Sequence, residues 1–285
     1  MSLTVEDDKL LIDDVGPWAE KKYNLISYYI DTFATSMKDK WDNRVYIDFF
    51  SSCGYSRLNN DKILAGSPII ALNIKHPFNK YIFCEIDPEK KCVLETRIKR
   101  DYPPLDECIF EGDINNKIEE VIKSIPVPSK SNKVLCLSFV DPYNIQNLSF
   151  NTIECLAKSR YSDFMILLPT HMSVQRQFYK KYFRRNDISL ESFLGRSNWR
   201  KKFELYIKSG RRSIASFVLE EFCNHMEEIN FLKIELNDVI LVKEPKKNLP
   251  LYHIVFFSKN KLGIDFWQRA LRGTNAQRSL FDIGL

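Results

Sequence analysis

Short apolar runs alternate with longer segments of mixed polarity over the first 170 residues of the chain. The runs are rich in β-branched and aromatic residues, which predicts strands. They cover residues 45–50, 80–85, 108–111, 133–140 and 163–168. Residues 19–38 instead carry apolar side chains at three- and four-residue spacing, which predicts a helix before the first strand. The alternation predicts five strand–helix steps and a mostly parallel sheet.

The last third of the chain has a different pattern. Residues 171–228 show no strand-like alternation and predict several helices. Apolar runs at 232–242 and 251–257, joined by a turn at 244–249, predict an antiparallel hairpin, and a short helix follows at 262–272. The sequence therefore predicts an α/β chain with the Rossmann-like fold of class I methyltransferases. This is a mostly parallel seven-stranded sheet with a C-terminal antiparallel hairpin, here combined with a helical insertion.

The same pattern divides the chain into four parts. Residues 1–43 are an N-terminal helical segment, and residues 44–170 are a Rossmann-like cofactor-binding core. Residues 171–229 are a basic helical insertion. Residues 230–285 are predicted to complete the sheet with the hairpin and to end in a helix and a polar tail.

The composition argues against several classes of protein. No apolar run approaches the roughly 20 residues of a membrane helix, and the acidic N-terminus has no apolar signal region. The 7 cysteines and 4 histidines are scattered, without a CxxC pair, which argues against both a zinc site and a disulfide framework. We therefore expect a protein of the reducing cytoplasm, with no metal and no membrane association.

Acidic residues stand at or just after the ends of four predicted strands: Asp48, Glu85, Asp113 and Asp141. Their intervals are 37, 28 and 28 residues, each about the length of one strand–helix–strand unit. They should therefore meet at the carboxyl edge of one sheet, where open α/β folds bind ligands. Carboxylates there suit ribose hydroxyls, an adenine amino group and a reacting substrate, which predicts a nucleoside-containing cofactor.

The loop after the first strand indicates which cofactor to expect. It reads Asp48-Phe49-Phe50-Ser51-Ser52-Cys53-Gly54 and lacks the G-x-G-x-x-G that brings a backbone close to a pyrophosphate, which disfavours NAD. S-adenosylmethionine has no phosphate, and this loop could hold its amino acid end through Asp48 and the backbone at Gly54. Asp48 is either such a ligand or a turn cap.

Two further acids complete the predicted cofactor site. Glu85 ends the second strand, the position from which an acid holds both ribose hydroxyls. Asp113 either accepts a hydrogen bond from the adenine amino group or caps the helix that follows.

Asp141-Pro142-Tyr143 follows the fourth strand and is the candidate catalytic motif. In amino-group methyltransferases an Asp/Asn-Pro-Pro-aromatic run lies here, holding the substrate amine while the aromatic ring stacks on an extruded base. This chain has one proline where that motif has two. The other interpretation is a tight turn that closes the strand.

The predicted insertion is strongly basic. Residues 171–213 carry a local charge of +9, whereas the whole chain is +5 and the remainder is therefore −4. The candidate nucleic-acid-binding residues are Arg176, Lys180, Lys181, Arg184, Arg185, Arg200, Lys201, Lys202, Arg211 and Arg212. Aromatic residues interleave with them, and cations with aromatics suit phosphates and bases. The alternative is an amphipathic helix with its aromatic side chains in the core.

The sequence resembles the three-Cys-motif partner protein family (TcmP), bacterial methyltransferase-like proteins usually encoded near a protein with a cysteine motif. The matching segments are Val15-Gly16-Pro17-Trp18 with Lys21-Lys22, Val45-Tyr46-Ile47-Asp48, Gly66-Ser67-Pro68-Ile69-Ile70-Ala71-Leu72, Phe83-Cys84-Glu85-Ile86-Asp87, Gly112-Asp113, Phe139-Val140-Asp141-Pro142-Tyr143, Gly195 with Trp199, and Leu262-Gly263 with Trp267. The resemblance covers nearly the whole chain. It implies a Rossmann-like methyltransferase fold and a three-Cys-motif protein as a partner.

The first loop departs from the family. The family usually reads Asp-Gly-Phe-Ala-Gly-Pro-Gly there, so two of three glycines are absent from this chain. Any position with positive φ would then cost about 1 kcal/mol or more, and Phe49 could occupy cofactor space. The departure predicts that binding of S-adenosylmethionine is weakened or lost.

These observations leave two functions. The first is an S-adenosylmethionine-dependent methyltransferase that acts on, or with, nucleic acid. The second is a catalytically inactive partner that keeps the fold and the basic surface and binds nucleic acid or protein.

Overall fold

The computed structural model describes residues 3–59, 61–102, 104–184, 186–235 and 238–281, with side chains described as far as residue 272. The predicted nucleic-acid residue Arg185 lies outside the described residues. The first part of the chain contains β1 (Asp13–Asp14), α1 (Ala19–Met37), β2 (Asn43–Asp48), β3 (Tyr55–Arg57), β4 (Ile63–Ala65), α2 (Ser67–Leu72), β5 (Lys80–Glu85), α3 (Pro88–Asp101), β6 (Glu107–Glu111), α4 (Ile114–Ser124), β7 (Val134–Val140), α5 (Phe150–Ser159) and β8 (Ser162–Leu168).

After β8 the chain is helical before it returns to the sheet. Two π-helical turns at Thr170–Gln175 and Phe178–Tyr182 lead into α6 (Ser189–Leu194), α7 (Trp199–Lys208) and α8 (Ile214–Glu228). The chain then forms β9 (Ile240–Lys243), β10 (Pro250–Phe257) and α9 (Lys261–Phe281). In the described part of the chain, no helix is both long and apolar enough to cross a membrane.

Seven strands form one mixed sheet in the order β6-β5-β2-β7-β8-β10-β9. The first five are parallel, and β10 runs antiparallel to both β8 and β9. This is the strand order of class I methyltransferases, so the predicted fold class is confirmed. The order reverses between β2 and β7, which places the topological switch point at the carboxyl ends of these two strands.

Helices cover both faces of the sheet, and alternate strand residues supply the two cores. On one face Tyr46 and Phe83 pack with α1, α2, α3 and α9. On the other face Ile47 and Ile82 pack with α4, α5 and the helices of the insertion. Because both faces are buried, the parallel strands read as continuous apolar runs rather than as alternating ones.

The C-terminal hairpin is shorter than the sequence predicts. β9 begins at residue 240 rather than 232. Asp238 is buried, and its carbonyl oxygen accepts a 2.7 Å hydrogen bond from the indole nitrogen of Trp267. This backbone group is satisfied by a side chain rather than by a neighbouring strand, and the ladder begins two residues later. The final helix is longer than predicted and reaches residue 281.

A small second sheet, β1-β3-β4, was not predicted from the sequence. The sheet combines β1 of the N-terminal segment with β3 and β4, which lie between β2 and α2. The N-terminal segment wraps around it, since Ala65 N donates to Leu3 O at 2.8 Å and Val15 N donates to Arg57 O at 2.9 Å. Strands of two or three residues are too short to leave a periodic signal in the sequence.

Candidate functional site

Four parallel strands bring the predicted acids to one edge of the sheet. Asp48 and Glu85 are the last residues of β2 and β5, whereas Asp113 and Asp141 follow β6 and β7. Asp48 is aligned with Phe139 of β7, so it lies next to Asp141 at the switch point. The geometry therefore brings together the four acids that the spacing singled out, and their individual roles depend on what each contacts.

Glu85 is held by the backbone of two loops. Its Oε2 accepts a 2.7 Å hydrogen bond from Ser52 N, and its Oε1 accepts a 2.9 Å bond from Asp87 N. The side chain is buried, with 8% of its surface exposed. Because an ionised carboxylate has about four acceptor positions, both oxygens retain capacity for the hydroxyls of a ribose.

Ile86 follows Glu85 and is 65% exposed, which is unusual for a large apolar side chain at the end of a buried strand. A flat apolar group bound beside Glu85 would cover it. Ile86 was not among the site residues predicted from the sequence. The sequence could have indicated it, because Ile86 is an apolar residue directly after the acid that ends the strand.

The first loop is held by hydrogen bonds although it has only one glycine. Ser51 donates from both its amide and its hydroxyl to Cys84 O, at 2.9 Å and 3.0 Å. Ser52 has φ +55°, so one of the family's glycine positions is left-handed here and is occupied by serine. Phe49 is 1% exposed and packs in the core below the loop. It therefore does not occupy cofactor space, contrary to what the sequence allowed.

Asp48 lies beneath this loop. It is fully buried, and its oxygens accept hydrogen bonds from Phe50 N at 3.2 Å and Tyr46 Oη at 3.3 Å. Burial raises the pKa of Asp48 to about 7, although a hydrogen bond with the Ser67 side chain acts to lower it. Of the two interpretations of Asp48, these contacts favour the turn cap, because another part of the protein covers both oxygens.

Asp113 caps α4. Its Oδ1 accepts from Asn115 N at 2.9 Å and from Asn115 Nδ2 at 2.8 Å. Asp113 therefore caps the helix through one of its two carboxylate oxygens. The residue is only half-buried, and a contact of the carboxylate with an adenine amino group stays a prediction.

Asp141 forms an ion pair with Lys22 of α1. Lys22 Nζ lies 2.7 Å from Asp141 Oδ2, and the lysine side chain is only 12% exposed. Burial opposes the charge on the lysine, but attraction to Asp141, with Tyr23 and Tyr252, holds the pKa of Lys22 above its usual value. Pro142 is buried, whereas Tyr143 is 82% exposed. Sequence reasoning missed Lys22 as a site residue because it lies 119 positions from its partner.

A cavity of about 400 Å³ opens near the start of α1. Trp18, one helical turn before Lys22, and Leu251, next to Tyr252, contribute to its walls. Other residues that line it are Met172, Arg176, Lys246 and Lys247. Only Arg176 belongs to the predicted nucleic-acid set. Lys246 and Lys247 come from the turn between β9 and β10, whose basic residues the sequence analysis treated only as turn formers.

The basic insertion adjoins the loop that follows Asp141. Lys181 Nζ donates to Gln146 Oε1 at 2.7 Å, and Gln146 Nε2 donates to Ser189 Oγ at 3.2 Å. Arg176, Lys180, Arg184, Lys201 and Arg212 are exposed. Other predicted cations have partners within the protein. Lys202 pairs with Glu221 at 2.6 Å, Arg211 with Glu220 at 2.8 Å, and Arg200 donates to two carbonyl groups.

Most aromatic residues of the insertion lie in the core. Phe178, Tyr182 and Trp199 are each at most 1% exposed, and the Phe178 and Phe203 rings are 4.7 Å apart. Tyr179, in contrast, is 64% exposed. The amphipathic-helix interpretation therefore holds for the aromatics, and the cations remain as the surface.

Known proteins with related structures include methyltransferases whose sequences are only distantly similar to this chain. The magnesium protoporphyrin IX methyltransferase of Synechocystis PCC 6803 with bound SAH is 7% identical, covers 85% of this chain and 83% of its own, and has a TM-score of 0.43. TYW2 of M. jannaschii in complex with AdoMet is 10% identical, covers 85% and 74%, and has a TM-score of 0.38. No family model and no curated protein matches the chain.

Proposed function

We propose that this protein binds S-adenosylmethionine at the carboxyl edge of β2, β5 and β6 and acts as a methyltransferase on, or with, nucleic acid. One observation carries the proposal. Glu85 ends the strand next to the switch point, is fixed by two backbone N–H groups and has acceptor positions left on both carboxylate oxygens. An oriented carboxylate at this position suits a pair of ribose hydroxyls.

The neighbouring residues fit the rest of the nucleoside. Ile86 offers an exposed apolar surface for adenine. Asp113, which caps α4 at the same edge of the sheet, would accept a hydrogen bond from the adenine amino group. The loop at Ser52 and Gly54 faces the same edge and could hold the amino acid end of the cofactor. S-adenosylmethionine, when bound, supplies an electrophilic methyl group, and the protein has only to align the acceptor with it.

The other half of the edge fits a phosphate-bearing substrate. Arg176, Lys246 and Lys247 line one cavity with Trp18 and the acid Glu244, so cations and an aromatic ring converge there. Phosphates would lie against the cations and a base against the ring. The exposed cations of the insertion, joined to the Asp141 loop through Lys181 and Gln146, would extend this surface.

Asp141 would orient the amine that accepts the methyl group. Its Oδ2 is paired with Lys22, so the amine either uses the other oxygen or displaces the lysine. A neutral nitrogen lone pair is needed for attack, and a carboxylate that accepts one of its hydrogens keeps the lone pair directed outward. Tyr143, which is exposed, would stack on the base.

Family membership is part of the proposal. We propose that the chain is a three-Cys-motif partner protein of the reducing cytoplasm and that a three-Cys-motif protein encoded nearby is its partner. The support is the ordered set of short sequence matches, several of which lie at this edge, among them those around Asp48, Glu85 and Asp141.

A second function is favoured by a specific contact. The part-buried Lys22–Asp141 ion pair occupies the group that would bind the amine, and Ser52 has a left-handed backbone where the resembling family has glycine. Both features suit a protein that has kept the fold and the basic surface as a catalytically inactive partner of nucleic acid or protein.

Calorimetric titration with S-adenosylmethionine, S-adenosylhomocysteine and NAD tests the cofactor. We expect the first two to bind and Glu85→Ala to weaken them about tenfold or more, since a charge-assisted hydrogen bond is worth about 1.5–3 kcal/mol. Glu89→Ala, at an exposed position on the following helix, is the matched control. Unchanged affinity in Glu85→Ala excludes this site, and absence of binding by the native protein favours the inactive partner.

A labelled-methyl assay on cellular RNA and DNA tests catalysis. Asp141→Ala should lower turnover about 10²-fold or more, whereas Tyr143→Ala should mainly weaken substrate binding, because only Asp141 contacts the reacting amine. Activity that survives Asp141→Ala removes this residue from the mechanism.

A further inference from the structure

A second cavity lies at the opposite, amino-terminal edge of the sheet. Its volume is about 300 Å³, at the lower end of the range for small-molecule sites. The end of α1, the starts of β7 and β8 and the first turn of α9 enclose it. None of the residues assigned above to cofactor, substrate or nucleic acid lines this cavity, so it is separate from the proposed methyl-transfer site.

Asp163 forms the inner end of this cavity. It is 4% exposed, and within the described part of the chain its Oδ1 has no hydrogen-bond partner. The hydroxyl of Ser258 bonds to the carboxyl group, and Gly263 packs closely on both, since a Cβ there would lie 2.5 Å from Ser258 Oγ and 3.3 Å from Asp163 Oδ2. A buried acceptor without a donor is costly. An N–H group of a ligand would satisfy it.

Between Asp163 and the solvent, part of the cavity wall is flat and apolar. The rings of Trp41 and Tyr161 pack on each other with centroids 5.3 Å apart and planes inclined by 33°. Both residues are half-buried, and Leu135 adds a buried aliphatic surface. Such a lining favours a planar ring system, because aromatic side chains bind flat groups by stacking or edge contacts.

Two lysines mark the mouth. Lys40 and Lys133 are exposed and line the same cavity, so an anionic group at the outer end would be favoured. The ligand thus needs a donor at one end, a flat body, and an anion at the other end. A free amino acid carries its ammonium and carboxylate on one carbon and cannot separate them in this way. A simple organic cation would be repelled by the lysines.

We propose that this cavity binds a purine nucleoside monophosphate with an exocyclic amino group. The amino group donates to Asp163, the base lies against Trp41 and Tyr161, and the phosphate is held by Lys40 and Lys133. The proposal does not depend on methyl transfer at the other edge of the sheet.

Adenosine 5′-monophosphate and two truncated probes test it by calorimetry at low ionic strength. Adenosine lacks the phosphate, and purine riboside 5′-monophosphate lacks only the amino group. We expect each probe to bind about tenfold or more weakly than adenosine 5′-monophosphate, since each loses a charge-assisted hydrogen bond. Equal affinity for the monophosphate with and without the amino group would overturn the role of Asp163.

Surface variants test the site without disturbing the core. Lys40→Glu with Lys133→Glu should weaken adenosine 5′-monophosphate about tenfold or more. Lys38→Glu with Lys130→Glu makes the same charge change at nearby exposed positions that do not line the cavity and should leave affinity within about twofold. An equal loss of affinity in both double variants would show that the effect comes from net charge alone, and it would contradict the proposed site.

The carboxyl edge of the sheet, where we propose that S-adenosylmethionine binds, could itself bind an adenine nucleotide. The two sites must therefore be distinguished. Binding should persist in Glu85→Ala and in the presence of saturating S-adenosylhomocysteine. If either removes it, the nucleotide occupies the cofactor edge and the proposal fails. No binding at millimolar concentration would also overturn it.

Discussion

At the scale of single residues, both proposed sites contain a few side chains in energetically unfavourable environments. Ser52 adopts a left-handed backbone in which glycine is favoured, and its hydroxyl donates to Asp13 of the N-terminal segment. Asp48 and Asp163 are buried carboxyl groups, and burial raises the pKa of each to about 7. Strain and buried polar groups of this kind are concentrated at functional sites in proteins.

Substitution of Ser52 separates backbone strain from the loss of its hydroxyl. Ser52→Gly and Ser52→Ala both remove the contact with Asp13, but only glycine relieves the positive φ. We expect the glycine variant to be more stable than the alanine variant by about 0.5–1 kcal/mol in urea unfolding. An alanine variant of equal or greater stability would show that residue 52 carries no strain.

Asp163 should make the stability of the protein depend on pH. Its pKa of about 7 in the folded state lies above that of an unfolded aspartate, so between these values the folded state binds more protons. Stability from this group is therefore present at low pH and is lost as pH rises from about 4 to about 7. Asp163→Asn has no such proton, and we expect its stability relative to the native protein to increase between pH 5 and pH 8. A difference that does not change with pH would contradict the assignment.

At the scale of elements, a buried arginine connects the N-terminal segment to the first loop, residues 48–54. Arg97 of α3 has a fully buried side chain, donates to both oxygens of Asp8 and donates to Cys53 O at 2.6 Å. Its guanidinium also lies 4.0 Å from the centre of the Tyr55 ring. Hydrogen bonds from Arg97 lower the pKa of Asp8 to about 2, against the opposing effect of burial. The arginine thus joins α3, the N-terminal segment and the first loop.

Asp8→Ala should destabilise the protein by about 3–5 kcal/mol, because it leaves the buried guanidinium without its anion. Asp7→Ala is the control. Asp7 is exposed and its ion pairs with Lys9 and Arg57 are long, so a change below about 1 kcal/mol is expected. Urea unfolding measures both, and comparable losses would show that Arg97 does not depend on Asp8. Because the pKa of Asp8 is lowered, its contribution is present above about pH 4 and is lost as pH falls towards 2.

At the scale of the whole molecule, the two edges of the sheet and the basic insertion differ in charge and in the cavities they carry. The carboxyl edge carries the acids and the larger cavity, whereas the amino edge carries the cavity at Asp163. The insertion packs its aromatic residues onto the sheet and leaves cations outside. The net charge of +5 is concentrated there, so a polyanion should approach this side of the molecule.

Nucleic-acid binding through the insertion should depend strongly on salt. We expect affinity to fall steeply between about 50 and 200 mM salt, and charge reversal at Lys180, Lys181, Arg184 and Arg185 to abolish binding. Reversal at Lys38, Lys99, Lys123 and Lys130, which are exposed elsewhere, makes an equal change in net charge and should weaken binding much less. Filter binding measures both variants. A salt-independent affinity, or full binding by the first variant, would remove the insertion as the binding surface.

The sequence by itself determined the order of the elements and the residues at the ends of the strands. Parallel strands buried on both faces must be apolar throughout, so residues 80–85 and 133–140 could be recognised locally. Because strand ends share one edge of a sheet, the positions of Asp48, Glu85 and Asp141 followed from spacing alone. The capping capacity of Asp48 and Asp113 was likewise readable, as one of two alternatives.

Only the tertiary structure decided what these residues contact. Lys22 meets Asp141 across 119 positions, and Asp8 meets Arg97 across 89, and no local periodicity encodes either pair. The same holds for the cavities, whose walls come from distant segments such as Trp18 with Lys246 and Trp41 with Tyr161. Local patterns report which face of an element is buried. The identity of the partner depends on how the layers pack, and this is fixed only when the whole chain has folded.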